Sequence, residues 1–367
     1  MVSQVDYDLH GFVGVRLIGA TPKDTAVVTR QLGSIQTTLK RSPDIVIRFV
    51  DEFPTTSHFR YLDVDDVGYK DDAFFVLRGK QKARTLVQIP FEQIGEQCEF
   101  VCEHGLQSIP LLIYTLNMTA LANGIVPMHA SAFNFNGTGV IAGGWAKGGK
   151  TETLLAFMAN GAEYVGDEYV YLSAGADQMF GIPQPIRIWS WHLDYLPQYR
   201  SALKHSDLRR LRILKLLDDS MSRLTNGNNT RRLFPIKMIN RLLPLLRKQS
   251  CVDLSPEPLF GKDACKLEGV PNKILFVASH ESSDITIEPI DAQEIARRIA
   301  LSLQQEHMKF MSYYRKFSFA FPDSSNKFLD IVDALQHEML TKALVGMEAY
   351  VVYHPYPVSI QSLFDKI

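Results

Sequence analysis

A glycine-rich segment near the middle of the chain has the residue types and spacing of a phosphate-binding loop. Residues 144–151 read GWAKGGKT, which matches G-x-x-x-x-G-K-[ST]. Glycines let the backbone approach a phosphate closely, so that successive N–H groups can point at its oxygens. The lysine of such a loop meets the β- and γ-phosphates of a nucleotide, and its Ser/Thr hydroxyl meets Mg²⁺. The segment therefore predicts binding of ATP and Mg²⁺. The predicted nucleotide-binding residues are Gly144, Trp145, Ala146, Lys147, Gly148, Gly149, Lys150, Thr151 and Glu152.

The segments on either side of this loop have the patterns that it requires. The apolar run at 140–142 predicts a strand that enters the loop. After the loop, TETLLAFMANG has apolar residues at helical spacing and ends on Gly161, as a helix does. A helix that begins at the loop directs its N-terminal N–H groups and dipole at an anion. The alternative, a glycine-rich turn that matches by chance, is disfavoured by these flanking segments.

Two neighbouring carboxylates interrupt the next apolar segment. Asp167 and Glu168 lie within AEYVGDEYVYLS, residues 162–173, which otherwise predicts a strand. Carboxylates inside an apolar strand are costly unless they are paired or bind a metal. A strand-end turn that faces water is the alternative. Because strand ends converge on the nucleotide in such folds, the position shortly after the loop favours a functional pair.

The pattern of apolar runs divides the chain into two predicted domains. Residues 1–104 contain several short β-branched or aromatic runs between turn signals and predict a β-rich N-terminal domain, with one helix around 25–39. Residues 105–367 alternate predicted helices and strands around the loop, which indicates an α/β domain with a central mixed sheet.

A basic segment interrupts the second domain at about 195–255. Residues 200–250 hold thirteen Lys or Arg against three Asp. Leucines at helical spacing predict two amphipathic helices on either side of the sequence TNGNNTRR. The segment is either a helical insertion with a solvated basic face or a docking surface for an acidic partner or phosphorylated substrate. A membrane surface or RNA is a further alternative.

Composition limits the class of protein. The formal net charge of −1 over 367 residues does not favour nucleic acid as a partner. No apolar run approaches the ~20 residues of a membrane span, and the first residues do not resemble a signal peptide, so a cytoplasmic protein is expected. The four cysteines are too scattered for a disulfide framework. Cys98 and Cys102, near His104, lack a second pair at zinc spacing, so ordinary thiols are favoured over a metal site.

Three segments, taken in order, resemble the HPr kinase/phosphorylase family and its kinase-like relatives. They are MHASAF, which contains His129, then GTGVIAGGWAKGGKTE, then NGAEYVGDEYVYL. The resemblance covers about 50 residues firmly and residues 108–190 loosely. It implies a nucleotide fold like that of the phosphoenolpyruvate carboxykinases, and transfer of the γ-phosphoryl group of ATP to a hydroxyl. It also suggests a homo-oligomer.

The resemblance implies a role for each matched residue. Asp167 would be the general base, and His129 would neighbour and tune it. Lys150 would stabilise the transferring phosphoryl group. The metal ligands would be Thr151, Glu152 and Glu168.

The sequence also departs from the family pattern. The acidic pair is Asp-Glu where the best-known members have Asp-Asp, and a downstream Glu-x-Arg-Gly signature is missing. Arg187, in GIPQPIRIW, offers either a phosphate clamp or a structural arginine. The acceptor is therefore left open among a peptide, a protein and a small molecule. The alternative function is a nucleotide-binding regulatory or assembly protein without transfer, and a carboxykinase-like enzyme fits less well.

Overall fold

The computed structural model of the chain describes residues 4–53, 58–63, 66–79, 84–225, 243–244 and 247–367. Helices and strands alternate over most of this range, and the strands form several sheets, so the fold is mixed α/β as predicted. The strands are β1 (Gln4–Leu9), β2 (Val13–Ile18), β3 (Gln36–Thr37), β4 (Ile45–Val50), β5 (Arg60–Leu62), β6 (Val67–Lys70), β7 (Ala73–Arg78), β8 (Arg84–Gln88), β9 (Cys98–Glu103), β10 (Val126–Met128), β11 (Ala130–Phe135), β12 (Thr138–Gly143), β13 (Glu163–Gly166), β14 (Val170–Leu172), β15 (Met179–Gly181), β16 (Ile186–Trp189), β17 (Cys251–Leu254), β18 (Glu268–Gly269), β19 (Pro271–His280), β20 (Thr286–Pro289) and β21 (Glu348–Pro355). The α-helices are α1 (Pro22–Leu32), α2 (Leu112–Ala122), α3 (Lys150–Met158), α4 (His192–Tyr195), α5 (His205–Thr225), α6 (Pro256–Phe260), α7 (Ala292–Ala320), α8 (Lys327–Ala343) and α9 (Ile360–Lys366).

The first nine strands form one sheet, in the order β3-β1-β2-β4-β9-β8-β7-β6-β5. The pairs β2–β4 and β4–β9 are parallel, and the other pairs are antiparallel. Strand β9 shows why the sequence forms such a sheet, because buried and partly exposed residues alternate along CEFVCE. The sheet is built from residues 4–103, the segment in which the sequence predicts a β-rich domain.

A six-stranded sheet carries the glycine-rich loop. Its order is β13-β11-β12-β19-β21-β20, in which β12, β19 and β21 are parallel neighbours. Strand β12 ends at Gly143, and α3 begins at Lys150 immediately after the loop. The carboxyl ends of these three parallel strands lie at one edge, where ligands bind in open α/β sheets.

The chain passes between this sheet and a four-stranded sheet of order β10-β14-β15-β18 at three places, and two of these contain predicted site residues. His129 lies between β10 and β11, and residues 167–169 lie between β13 and β14. In each of these two pairs, the two successive strands belong to different sheets. The sequence predicts one continuous strand over 162–173, whereas the structure has two with a bend between them. The bend is needed because one straight strand cannot join both sheets, and Glu168 adopts a left-handed φ of 70° there.

One hydrophobic core joins the nine-stranded sheet to the C-terminal helices. The Phe91 ring lies 5.6 Å from that of Phe310 and 5.5 Å from that of Phe317, both on α7. Asn326 caps α8, since its Oδ1 accepts the Phe328 N–H, and its Nδ2 donates to the carbonyl of Phe91 at 2.8 Å. The nine-stranded sheet and the C-terminal helices therefore pack directly against each other.

The basic segment is described in part. Helix α5 agrees with the first predicted amphipathic helix, and the Arg247 guanidinium pairs with Asp218 on it at 2.8 Å. The sequence TNGNNTRR, after its first residue, and most of the second predicted helix lie outside the described residues. Over the ranges that the structure describes, no helix combines the length and apolar character needed to cross a bilayer.

Candidate functional site

The glycine-rich loop, residues 144–151, makes a tight turn against two neighbouring strands. Gly144 and Gly149 have φ of 158° and 107°. A Cβ at Gly144 would lie 2.3 Å from the carbonyl oxygen of Val277 on β19, and one at Gly149 would lie 2.1 Å from Nε2 of His354 on β21. Because both contacts are shorter than real Cβ contacts, these positions require glycine. The predicted nucleotide-binding residues thus form one continuous turn into α3.

The strand β21 supports this turn directly. His354 is fully buried, and its Nε2 lies 2.8 Å from the carbonyl oxygen of Gly148. The first N–H groups of α3, which follow Gly149, have no partner within the helix. These N–H groups point out of the start of the helix, where the helix dipole favours a bound anion.

Lys150 is held inside the loop. Its side chain is buried, and Nζ donates to the carbonyl oxygens of Gly144 and Trp145, both at 3.1 Å. Burial lowers the pKa of Lys150 below its ordinary value, and the negative charges around it, led by that of Glu168, oppose this shift. The ammonium group therefore lies among carboxylates and can exchange its carbonyl contacts for phosphate oxygens.

Asp167 lies against the first residues of α3. The Thr151 hydroxyl lies 3.2 Å from Asp167 Oδ2, and the Ser131 hydroxyl donates a short hydrogen bond to Oδ1. The carboxylate is buried, and burial together with the charge of Glu168 raises the pKa of Asp167. Asp167 and Thr151 thus present oxygen atoms to one small volume beside the loop.

Glu168 points towards His129 and the open side of the site. Its half-exposed carboxylate lies 3.3 Å from Nε2 of the buried His129. On the other side of the ring, Oε1 of Glu306 lies 3.5 Å from Nδ1, which has no hydrogen-bond partner. The contact with His129 lowers the pKa of Glu168. The sequence predicts that His129 neighbours Asp167, whereas the contacts of the ring are to Glu168 and Glu306.

Glu152 turns to a different partner. His192 accepts the Trp189 N–H at Nδ1, so its Nε2 carries the proton and donates to Glu152 Oε1 at 3.2 Å. Burial alone would raise the pKa of Glu152, but the contact with His192 outweighs it and the pKa is lowered. The Glu152 carboxylate forms no hydrogen bond with Thr151 or Glu168, the other two predicted metal ligands, and pairs with His192 instead.

Arg187 is engaged on the outer face of the β16–β17 pair. Its guanidinium makes a two-pronged contact with Asp253, with Nε 2.9 Å from Oδ1. About half of each side chain is exposed, and the charge of Arg187 also lowers the pKa of Glu168. Arg187 therefore lies near the site with a carboxylate partner already in place.

Sequence reasoning did not identify several residues that complete this arrangement. Glu306 and His354 lie far along the chain, on α7 and β21, and only the fold brings them to the loop. Ser131 lies within the segment MHASAF, but no pattern in the sequence marks it as a functional residue. Among the described residues, no group of three or more His, Cys, Asp or Glu side chains converges as a metal centre. Cys98 and Cys102 are buried thiols whose pKa is raised by burial.

A buried histidine behind the site gives the fold a testable sensitivity to acid. His307 neighbours Glu306 in sequence, is buried, and has no hydrogen-bond partner for either ring nitrogen. Burial, aided by the nearby His129, lowers the pKa of His307 from its ordinary 6.5 to about 4. The unfolded chain therefore binds a proton between these values that the folded chain does not, and stability falls as pH decreases from 6.5 to 4.

The free energy of unfolding is expected to fall by about 3 kcal/mol as the pH decreases from 6.5 to 4. The variant His307→Leu should remove most of this slope, measured as the pH dependence of the urea midpoint. His337→Leu, at an exposed histidine on α8, is the control and should keep the wild-type slope. An unchanged slope in His307→Leu would mean that His307 binds a proton as readily in the folded protein as in the unfolded chain.

No protein-family model matches the sequence, and a search of curated proteins gives no match either. The family resemblance of the three motifs therefore stays a prediction.

Proposed function

We propose that the protein is an ATP-dependent phosphotransferase that uses Mg²⁺ and transfers the γ-phosphoryl group to a hydroxyl. The observation that carries this proposal is the meeting of Thr151 and Asp167 at the start of α3, beside the buried Lys150. A lysine, a hydroxyl and a carboxylate at a glycine-rich loop are the groups that phosphoryl transfer uses for positioning and charge neutralisation.

The loop is suited to the phosphates for a steric reason and an electrostatic one. Its glycines leave no Cβ between the backbone and the space above it, and the free N–H groups of α3 supply donors. The Lys150 ammonium adds the charge, and its present carbonyl partners at 3.1 Å are neutral. ATP therefore binds with its β- and γ-phosphates along residues 144–151.

The donors for Mg²⁺ are hard oxygens, which suit that ion. Thr151 and Asp167 already lie 3.2 Å apart at the loop and would hold it together with phosphate oxygens. When bound, the ion supplies neutralisation of charge on the phosphates. Glu152 is occupied by His192, so the proposal leaves it out of this set.

The contacts favour Glu168, rather than Asp167, as the base on the acceptor. Asp167 is buried and already accepts bonds from Thr151 and Ser131. Glu168 is half-exposed, so an acceptor can reach it, and it has the largest electrostatic influence on Lys150. These contacts exchange the two roles that the resemblance implies.

His129 and Glu306 are positioning residues for this base. The imidazole lies between the two carboxylates, at 3.3 Å from Glu168 and 3.5 Å from Glu306. The contact of the buried ring with Glu168 at 3.3 Å orients that carboxylate, which otherwise has a flexible side chain in a solvent-facing bend. The arrangement resembles the base-and-orienter pairs by which many enzymes direct a proton acceptor.

The proposed step conserves atoms and charge. The acceptor O–H gives its proton to the Glu168 carboxylate while its oxygen forms a bond to the γ-phosphorus. The bond from that phosphorus to the β–γ bridging oxygen breaks, and ADP leaves with the bond electrons. Lys150 stays with the phosphoryl oxygens throughout, and the proton passes from Glu168 to solvent afterwards.

The resemblance leaves the class of acceptor open. A serine of a peptide or protein, or a small-molecule hydroxyl, satisfies the chemistry equally. The exposed basic residues of α5 favour an acceptor or partner with negative charge, in line with the prediction for residues 200–250.

The test uses the full chain with ATP labelled at the γ-phosphate and Mg²⁺. Extract is separated into protein, peptide and small-molecule fractions, and each is assayed for label. We expect label on one fraction, in a phosphoester stable to acid, and its loss when Mg²⁺ is chelated. The variant Thr151→Val, which keeps the shape and removes the hydroxyl, should need more Mg²⁺. If ATP binds tightly and no fraction becomes labelled, the result would contradict phosphoryl transfer and favour a regulatory function.

A further inference from the structure

Three aromatic side chains form a half-open cluster beside the glycine-rich loop. The Trp191 ring lies 6.2 Å from that of Tyr195 and 6.3 Å from that of Tyr356, in both cases nearly edge to face. Tyr195 is 48% exposed and Tyr356 is 58% exposed. We call Trp191, Tyr195 and Tyr356 the ring cluster. Large rings that meet one another and stay open to solvent leave aromatic surface free for another flat group.

Two histidines that neighbour the ring cluster in sequence contact the loop or the residue after it. His192, next to Trp191, donates to Glu152 at 3.2 Å, one residue after Thr151. His354, two residues before Tyr356, contacts the carbonyl of Gly148 at 2.8 Å. Burial raises the pKa of Tyr356, and the charge of Glu152 adds to that shift. The cluster therefore lies close to where phosphates would bind.

The ring cluster and the acidic residues lie on opposite sides of the loop. In the six-stranded sheet, β11 and β13 lie on one side of β12, and Asp167 and Glu168 directly follow β13. On the other side of β12 come β19 and β21, and Tyr356 directly follows β21. A nucleotide across this edge, with its γ-phosphate at the carboxylates, has its base towards the side of β21.

From this geometry we infer that the ring cluster is the binding site for the purine base of the nucleotide. The inference rests on the proposed use of ATP and adds the place and direction of the nucleoside. The base stacks on ring faces of Tyr195 and Tyr356, which are exposed and can adjust around Trp191. The phosphates then run along the loop towards Lys150, and the γ-phosphate ends beside Glu168.

The experiment compares two ligands that share phosphates but differ in the base. Binding of ATP and of inorganic tripolyphosphate, each with Mg²⁺, is measured by calorimetry on the full chain. Tyr195→Ala and Tyr356→Ala are the test variants because both side chains are exposed and their loss leaves the core intact. Tyr61→Ala removes a tyrosine that is 61% exposed on the nine-stranded sheet and is the control.

We expect each test variant to weaken ATP binding roughly 5- to 150-fold, the range of one base–aromatic stack, and to leave tripolyphosphate binding unchanged. Tyr356→Phe, which keeps the ring, should bind ATP like the wild type. ATP should also quench the emission of Trp191 in a background in which the other two tryptophans are replaced (Trp145→Phe and Trp189→Phe), and tripolyphosphate should not.

Two results would overturn the inference while sparing the proposed function. One is wild-type ATP affinity in both Ala variants. The other is equal weakening of ATP and tripolyphosphate, which would show that the tyrosines act on the loop and not on a base. If the wild type binds neither ligand, the proposed function itself fails, and the base site fails with it.

Discussion

The variant Glu168→Gln is expected to lower kcat roughly 10²- to 10⁴-fold, the range of general acid–base catalysis, with little change in the affinity for ATP. The amide keeps the shape of the carboxylate and can still contact His129, now 3.3 Å from it. It cannot accept the proton of an acceptor hydroxyl. Steady-state rates at saturating ATP and Mg²⁺, with the labelled fraction as acceptor, measure the effect.

The matched variant is Asp167→Asn, on the neighbouring carboxylate. Because Asp167 lies against Thr151 at 3.2 Å, its loss should raise the Mg²⁺ concentration for half-maximal rate roughly 10- to 100-fold. Saturating Mg²⁺ should restore much of kcat in Asp167→Asn and none in Glu168→Gln. The reverse pattern would return the base to Asp167 and the metal to Glu168, as the family resemblance implies.

Removal of the loop lysine is the second large effect. Lys150→Ala should lower kcat/KM roughly 10²- to 10³-fold, the loss seen when one preorganised electrostatic donor is removed. The charged groups that act most strongly on the buried ammonium are carboxylates, led by Glu168. The same assay measures this effect, with circular dichroism to confirm that the variant folds.

Lys147→Ala provides the control from the same loop. Lys147 is exposed to solvent, in contrast to the buried Lys150. Its replacement should change the rate only slightly. Equal losses in both variants would indicate a general charge effect on ATP, and an active Lys150→Ala would exclude phosphate binding by this loop.

The sequence was informative wherever a few neighbouring residues determine the structure. The loop, the strand before it and the helix after it are local, and α3 begins at Lys150 as the motif requires. A loop of this kind depends on glycines at fixed positions, and the spacing of the motif G-x-x-x-x-G-K-[ST] shows which positions those are. The mixed α/β fold was predictable for the same reason, because alternating helices and strands leave a periodic pattern.

The contacts between distant segments could not be predicted in this way. Glu306 lies on one face of α7, and the helical period shows which residues share a face but not what that face meets. The contact of His129 with Glu168 rather than Asp167 depends on the bend between two sheets, where Glu168 has a positive φ. An apolar run that changes sheets has the same composition as one that does not.

The support of the loop by His354 has a consequence for the order of events during synthesis. The glycine-rich loop leaves the ribosome about two hundred residues before His354, whose ring contacts the Gly148 carbonyl from β21. Until β21 pairs with β19, the loop lacks this wall, and the six-stranded sheet lacks the neighbour of its central strand. Nascent chains fold from the N-terminal side first, so the residues between the loop and β21 are synthesised while the loop still lacks this contact. Under the proposed function, the nascent chain therefore acquires the capacity to bind nucleotide only after β21 has been made and has paired with β19.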